Sequence, residues 1–192
     1  DGSGVCDRYS PAGQTKYASS SGTSHSTPSL AGCASLVHNF LGRAYGRGAP
    51  SPALLKAYLL HAARHMTGVS ANDNLPSNSQ GYGIIDLGFA FELSAPRYFV
   101  DQTEVLWSSG QTWQASGSIP VPGQPFRAAL VWTDAPGPTS GNAYVNNLDL
   151  QVSVNGVLYR GNNFNKGASV PGGSADPRNN VECVFLPAGA SG

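Results

Sequence analysis

Charged side chains are scarce in this sequence. Lys, Arg, Asp and Glu make up 11% of its 192 residues, against roughly 25% in typical soluble domains. Basic and acidic residues number 11 each, so the formal net charge is zero. Because counterion release from nucleic acids requires a basic surface, we expect no nucleic-acid partner.

Long apolar runs are also missing. No stretch approaches the roughly 20 apolar residues of a transmembrane helix, so we expect no membrane partner. The sequence carries no signal-peptide pattern at its start, and its first residue is Asp1 rather than Met. We therefore expect a fragment or a processed product. The composition, poor in Lys and rich in Ser, Asn and Gly, predicts a secreted or extracytoplasmic location.

Cysteine is rare, with Cys6, Cys33 and Cys183 as the complete set. An odd number leaves at least one thiol without a partner inside the chain, and the pairing stays open. The wide spacing matches no metal motif. Gly and Pro are abundant instead, at 24 and 14 residues, which favours many turns and short strands.

Two helices are predicted in the first half of the chain. The first begins close to Ser24 and ends before Gly42. The second has Ser51 as its N-cap, Pro52 at its first position and Gly68 as its stop. The apolar face of the first helix has the spacing i, i+3, i+4, i+7 and consists of Leu30, Cys33, Ala34 and Val37.

Strand patterns replace helical ones after about residue 95. Asn155-Gly156 follows an alternating apolar and polar run, which predicts a two-residue hairpin turn. Helices before this point and strands after it indicate two domains, 1–95 and 96–192, the second an antiparallel β-sandwich. The predicted strands are 97–106, 111–119, 126–133, 148–154, 157–159 and 181–186.

One serine lies at a predicted helix start, where backbone groups could assist a reaction of its hydroxyl. In Gly22-Thr23-Ser24, backbone N–H groups at the helix start lack intrahelical partners, and the helix dipole favours negative charge there. A serine at this place can attack a carbonyl while its own N–H faces the oxyanion. Three residues alone are a weak signal, because an ordinary N-cap serine looks the same.

A longer string strengthens the signal. Residues 22–32, GTSHSTPSLAG, resemble the nucleophile segment of the subtilisin-like serine peptidases. Residues 51–63 resemble a later helix of that catalytic domain, and 80–83, QGYG, resemble the turn beyond it. Four further strings resemble the branch with a C-terminal β-barrel or jelly-roll extension: 130–136, 145–150, 161–164 and 178–182.

The resemblance implies a fold. Residues 1–95 would form the C-terminal helices of an α/β subtilisin-like peptidase domain. Residues 96–192 would form an all-β antiparallel jelly-roll or β-sandwich domain, truncated at its C-terminal end. A sandwich without its final strands would expose an unpaired edge, which could pair with another copy of the chain.

The resemblance also implies an activity. Ser24 would be the nucleophile of a serine endopeptidase that cleaves polypeptides through an acyl-enzyme, with no organic cofactor. Gly22, Thr23 and Ser24 would line the oxyanion and substrate cleft. The triad Asp and His and the oxyanion Asn would lie upstream, because the subtilisin triad runs Asp, His, Ser along the chain. The 192-residue chain alone is therefore predicted to be inactive without the missing N-terminal part.

Local histidines are not expected to replace the missing base. The subtilisin-like family usually carries Met where His25 stands. His25 directly follows Ser24, and adjacent residues of a helix do not face each other, so we do not expect His25 to act as the base. We expect surface or packing roles for His25, His38, His61 and His65, with His25 at the cleft edge as an alternative.

The resemblance further implies calcium, an oxygen-liganded ion. Aspartate and asparagine also cap turns, which is the alternative. The candidate ligands are Asp134, Asn147, Asp149 and Asp176, with Asn180 as a further oxygen donor.

Two other functions stay open. The chain could be a catalytically incompetent fragment whose sandwich acts as a stabilising, calcium-binding or interaction module. It could also be a carbohydrate-binding jelly roll that uses Trp107, Trp113 and Trp132, although core or sheet-face roles are the stronger expectation for these aromatics.

Overall fold

A computed structural model describes residues 9–20, 22–46, 48–119, 123–142 and 144–189, so Cys6 lies outside the described part. Within these ranges, no helix is both long and apolar enough to cross a membrane. The helices are α1 (Thr23–Tyr45), α2 (Pro52–His61) and α3 (Leu87–Phe91). The strands are β1 (Ala63–Arg64), β2 (Ile84–Ile85), β3 (Phe126–Val131), β4 (Gln151–Val154), β5 (Val157–Asn165), β6 (Ala168–Pro171) and β7 (Val181–Leu186).

Helix α1 begins at Thr23, as the sequence predicts, but its predicted end is wrong. The helix runs through Gly42 to Tyr45 and ends at Gly46, which takes the left-handed conformation with φ 60°. A glycine inside a helix costs about 1 kcal/mol relative to alanine. The neighbouring Leu41 is fully buried, and we attribute the continuation of the helix to this packing.

Helix α2 is capped as predicted and ends earlier than predicted. The Ser51 hydroxyl accepts the N–H three residues further on at 3.0 Å. The helix stops at His61 rather than near Gly68, because residues 63–64 leave it to form β1, which pairs antiparallel with β2. Strand pairing between distant segments therefore overrides the local helical pattern.

A close backbone approach explains the glycine at the end of 80–83. Gly83 has φ 110°, and a Cβ there would lie 2.6 Å from the carbonyl carbon of Arg64. Only glycine meets both conditions, and it allows the chain to pass beside β1 before β2 begins.

The sheets of the second half are small and antiparallel. Strand β3 pairs with β7, and β5 lies between β4 and β6. The predicted hairpin turn is confirmed: Asn155 and Gly156 have φ of 49° and 78°, the positive values of a type I′ turn. Strand β6 was not predicted. It follows a turn at Lys166, whose φ is 56°.

Two predicted strands are wrong. The structure has no strand in residues 97–106 or 111–119. By contrast, β3 lies within the predicted strand 126–133, and β7 coincides with the predicted strand 181–186. Apolar and aromatic side chains favour strands only when a partner is available for backbone hydrogen bonding and packing. In 97–119 no partner strand is paired, and Trp107 is 83% exposed.

Two apolar cores stabilise the described chain. The first joins α1, α2 and α3 through Val37, Leu41, Tyr58, Ala62 and Ala90. The second crosses the predicted domain division, because Leu75 packs with Phe164, Val181, Cys183 and Phe185. The fold is thus a helical part packed against antiparallel β-sheets.

Candidate nucleophile at the start of helix α1

Ser24 is exposed at the second position of α1. The N-cap is Gly22, with φ 144° and ψ 162°, a conformation that favours glycine. In the described part of the chain, no side chain caps the helix start. No described residue forms a hydrogen bond with the Ser24 hydroxyl. The hydroxyl therefore faces solvent, where a substrate could reach it.

Two backbone donors, the N–H groups of Thr23 and Ser24, lie beside this hydroxyl. The Gly22 carbonyl accepts the N–H groups of His25, at 3.0 Å, and Ser26, at 3.3 Å. Within the described residues, the N–H groups of Thr23 and Ser24 have no acceptor. Gly22, Thr23 and Ser24 thus meet at one positive helix end, where these N–H groups could stabilise an oxyanion.

The described part of the chain places no histidine against the Ser24 hydroxyl. His25 Nε2 lies 2.6 Å from the Ser20 hydroxyl oxygen, and His38 is exposed on α1. His65 Nε2 lies 2.9 Å from the Asp73 carbonyl oxygen.

His61 lies near the helical core instead. Its ring centroid is 5.2 Å from that of Phe89. Burial, followed by the charges of Arg127 and Arg97, lowers the pKa of His61 to about 4. The imidazole is therefore neutral at pH 7 and packs against the aromatic rings of Tyr58 and Phe89.

An exposed serine beside N–H groups that have no acceptor among the described residues is compatible with a hydrolase nucleophile. Residues 2–83, which are less than half of the chain, match the model of the Subtilase family. The match agrees with the resemblance of 22–32 and 80–83. No curated protein matches the chain.

The predicted calcium ligands lie in separate hydrogen-bonded groups. The carboxylate of Asp134 accepts the N–H of Val145 at 2.6 Å and that of Asn146 at 3.1 Å, and these bonds hold its pKa below the usual range. Asn147 approaches Asp149, with 3.5 Å between Nδ2 and Oδ1.

Asp176 belongs to a third group. Its carboxylate accepts the Asn162 amide at 2.7 Å and the Asn179 amide at 2.6 Å, while Asn180 donates to the Trp132 carbonyl at 3.1 Å. Across the described ranges, no three His, Cys, Asp or Glu side chains are grouped to hold a metal ion. Calcium binding by Asp134, Asn147, Asp149 and Asp176 stays a prediction.

Glu182 is an acidic residue that the sequence reasoning did not single out. It is fully buried in β7. One carboxylate oxygen accepts the Leu150 N–H at 2.6 Å, and the other has no hydrogen-bond partner among the described residues. Burial raises the pKa of Glu182 to about 7; the Leu150 N–H opposes the rise, and the charges of Asp149 and Asp176 add to it. The available signal was a glutamate inside the apolar run of residues 181–186, because buried glutamate is rare.

Proposed function

We propose that this chain carries the nucleophile of a serine endopeptidase that acts on polypeptides. The supporting observation is the exposed Ser24 hydroxyl beside the N–H groups of Thr23 and Ser24. Ser24 Oγ would attack the peptide carbonyl carbon and transfer its proton to a histidine base. The two N–H groups would stabilise the oxyanion, the protonated amine would leave, and water would hydrolyse the acyl-enzyme.

We further propose that the base comes from an N-terminal part of the peptidase domain that holds the triad Asp and His and the oxyanion Asn. The absence of a described histidine against Ser24 supports this division of roles. The 192-residue polypeptide alone would then be a catalytically incompetent partner of that part. The composition, poor in Lys and rich in Ser, Asn and Gly, supports a secreted or extracytoplasmic location.

A fluorophosphonate probe tests this proposal. The Ser24 oxygen would attack phosphorus and displace fluoride only where a base removes its proton. We expect the probe to label Ser24 in the full-length protein and to leave the 192-residue polypeptide unlabelled, as read by peptide mass spectrometry. Labelling of Ser24 in the short polypeptide would contradict the predicted need for the N-terminal part. The heat-denatured full-length protein is the control for nonspecific reaction.

For the strand-rich half we propose a jelly-roll-like sandwich that stabilises the peptidase. Its support is the pair of antiparallel sheets and the core that β5 and β7 share with Leu75 of the helical part. This sandwich is also where another copy of the chain could pair, through an open sheet edge.

Calcium binding in this half stays a prediction that a thermal melt can decide. An ion bound by the native state alone raises the unfolding midpoint, by about RT ln(1 + [L]/Kd) in free energy. We expect a higher midpoint in millimolar calcium than in chelator, followed by circular dichroism. Magnesium at the same concentration is the control for ionic strength. Equal midpoints in calcium and chelator would reject the prediction.

A further inference from the structure

A hydrogen bond between the side chains of Ser20 and His25, here called the bridge, spans the start of α1. His25 Nε2 and Ser20 Oγ are 2.6 Å apart, which is hydrogen-bonding distance. The two residues flank the turn that contains Gly22 and Ser24. The bridge therefore connects the segment before the helix to the first turn of the helix, across the candidate nucleophile.

The position of the imidazole agrees with a role of the bridge as a clamp, meaning a contact that restrains this turn. A Cβ on Gly22 would lie 3.8 Å from the His25 ring carbon Cδ2, so the ring lies beside the turn. The Gly22 carbonyl is also held, by the N–H groups of His25 and Ser26. Both the backbone and the side chain of His25 thus restrain the residues that precede Ser24.

The bridge meets a particular requirement of this helix start. An N-cap side chain normally fixes a helix start by accepting the N–H of the second or third helical residue. Such a cap would occupy donors that an oxyanion needs, and no described side chain caps α1. The bridge between Ser20 and His25 holds the turn without using the N–H groups of Thr23 or Ser24.

We propose that His25, held by Ser20, is a positioning residue that fixes the turn presenting the Ser24 hydroxyl and its neighbouring N–H groups. This inference rests on the proposed peptidase function. His25 does not act as the base of Ser24, because its ring nitrogen is directed to Ser20. Misplacement of a nucleophile lowers the rate of the chemical step more than it lowers substrate binding.

Substitutions in the full-length protein test the clamp with a peptide substrate. We expect His25→Leu and Ser20→Ala each to lower kcat about three- to tenfold, the worth of one hydrogen bond, with little change in KM. The double variant should be no slower than the slower of the two single variants, because both remove the bond between Ser20 and His25. His25→Gln, whose amide can still reach Ser20, should restore kcat to within about twofold of the wild type.

A matched control lies on the same helix. The Ser29 hydroxyl donates to the His25 carbonyl at 2.9 Å and does not contact the imidazole. Ser29→Ala should therefore leave kcat and KM unchanged. Circular dichroism melts of every variant separate a loss of folding from a loss of rate, and the His25→Gln comparison distinguishes a specific bond from general packing.

The outcomes separate the clamp from the proposed function. Unchanged kcat in His25→Leu, additive losses in the double variant, or a His25→Gln variant as slow as His25→Leu would each overturn the clamp. An active Ser24→Ala variant would instead remove the proposed function itself. An inactive Ser24→Ala variant beside a fully active His25→Leu variant would remove only the clamp.

Discussion

Replacement of Ser24 by alanine in the full-length protein should lower peptidase kcat by about 10⁴-fold or more, the scale seen when a triad member is lost. The hydroxyl is exposed at the second position of α1, and removal of its oxygen leaves no atom to form the acyl-enzyme. The substitution should leave folding intact, because no described residue bonds to that hydroxyl. The measurement is steady-state hydrolysis of a peptide substrate, together with a thermal melt.

The same serine-to-alanine change at Ser29 is the control for this prediction. Ser29 lies on the same helix, and its hydroxyl bonds to a backbone carbonyl rather than facing a substrate. Ser29→Ala should keep full activity. A Ser24→Ala variant that retains wild-type hydrolysis would refute the assignment of the nucleophile, and parallel losses in both variants would indicate a general effect on the helix.

The second large effect is expected from Glu182→Gln, as a change in the pH dependence of stability. The pKa of Glu182 is about 7 in the folded chain, raised by burial from 4.5. The folded state therefore binds the proton more tightly than the unfolded state. The stability that this group contributes is complete below pH 4.5 and is lost as the pH rises through 7.

Glutamine keeps an acceptor for the Leu150 N–H and has no charge to bury. Between pH 4.5 and 7, the unfolding free energy of the wild type should fall relative to Glu182→Gln by about 1.4 kcal/mol per pH unit. Urea unfolding at several pH values measures the difference in unfolding free energy between the wild type and Glu182→Gln. Contributions from the other titrating groups are the same in both proteins and cancel in this difference. The variant should be the more stable protein above pH 7.

Glu92→Gln is a control of opposite sign. The backbone N–H of Ser94 holds the pKa of this exposed carboxylate below its usual value. Any difference between wild type and Glu92→Gln should therefore appear at the acid end, where the wild type loses stability as the pH falls. A flat difference curve for Glu182→Gln from pH 4.5 to 8 would contradict the assignment of a neutral, buried Glu182.

Local signals in the sequence were accurate where neighbouring residues supply the interaction. The Ser51 cap bonds within its own first turn, and the Asn155-Gly156 turn depends on φ values that these two residues tolerate. The start of α1 near Ser24 was predicted for the same reason.

Signals that depend on distant partners were less reliable. The helical period continues past His61, but pairing of β1 with β2 ends α2 there. Residues 97–119 have strand-like composition and no strand partner in the described chain. Sequence periodicity cannot supply the partner, because strand pairing joins residues far apart in the chain.

The candidate serine, its helix start and the resemblance to the subtilases could be read from the sequence, because these features lie in one continuous string, 22–32, and in the turn at 80–83. The folded chain was needed to show that His25 bonds to Ser20 and that the candidate calcium ligands have different hydrogen-bond partners. It also showed that Glu182 is fully buried, because burial depends on how β7 packs against β3, β5 and β6, which are distant in sequence.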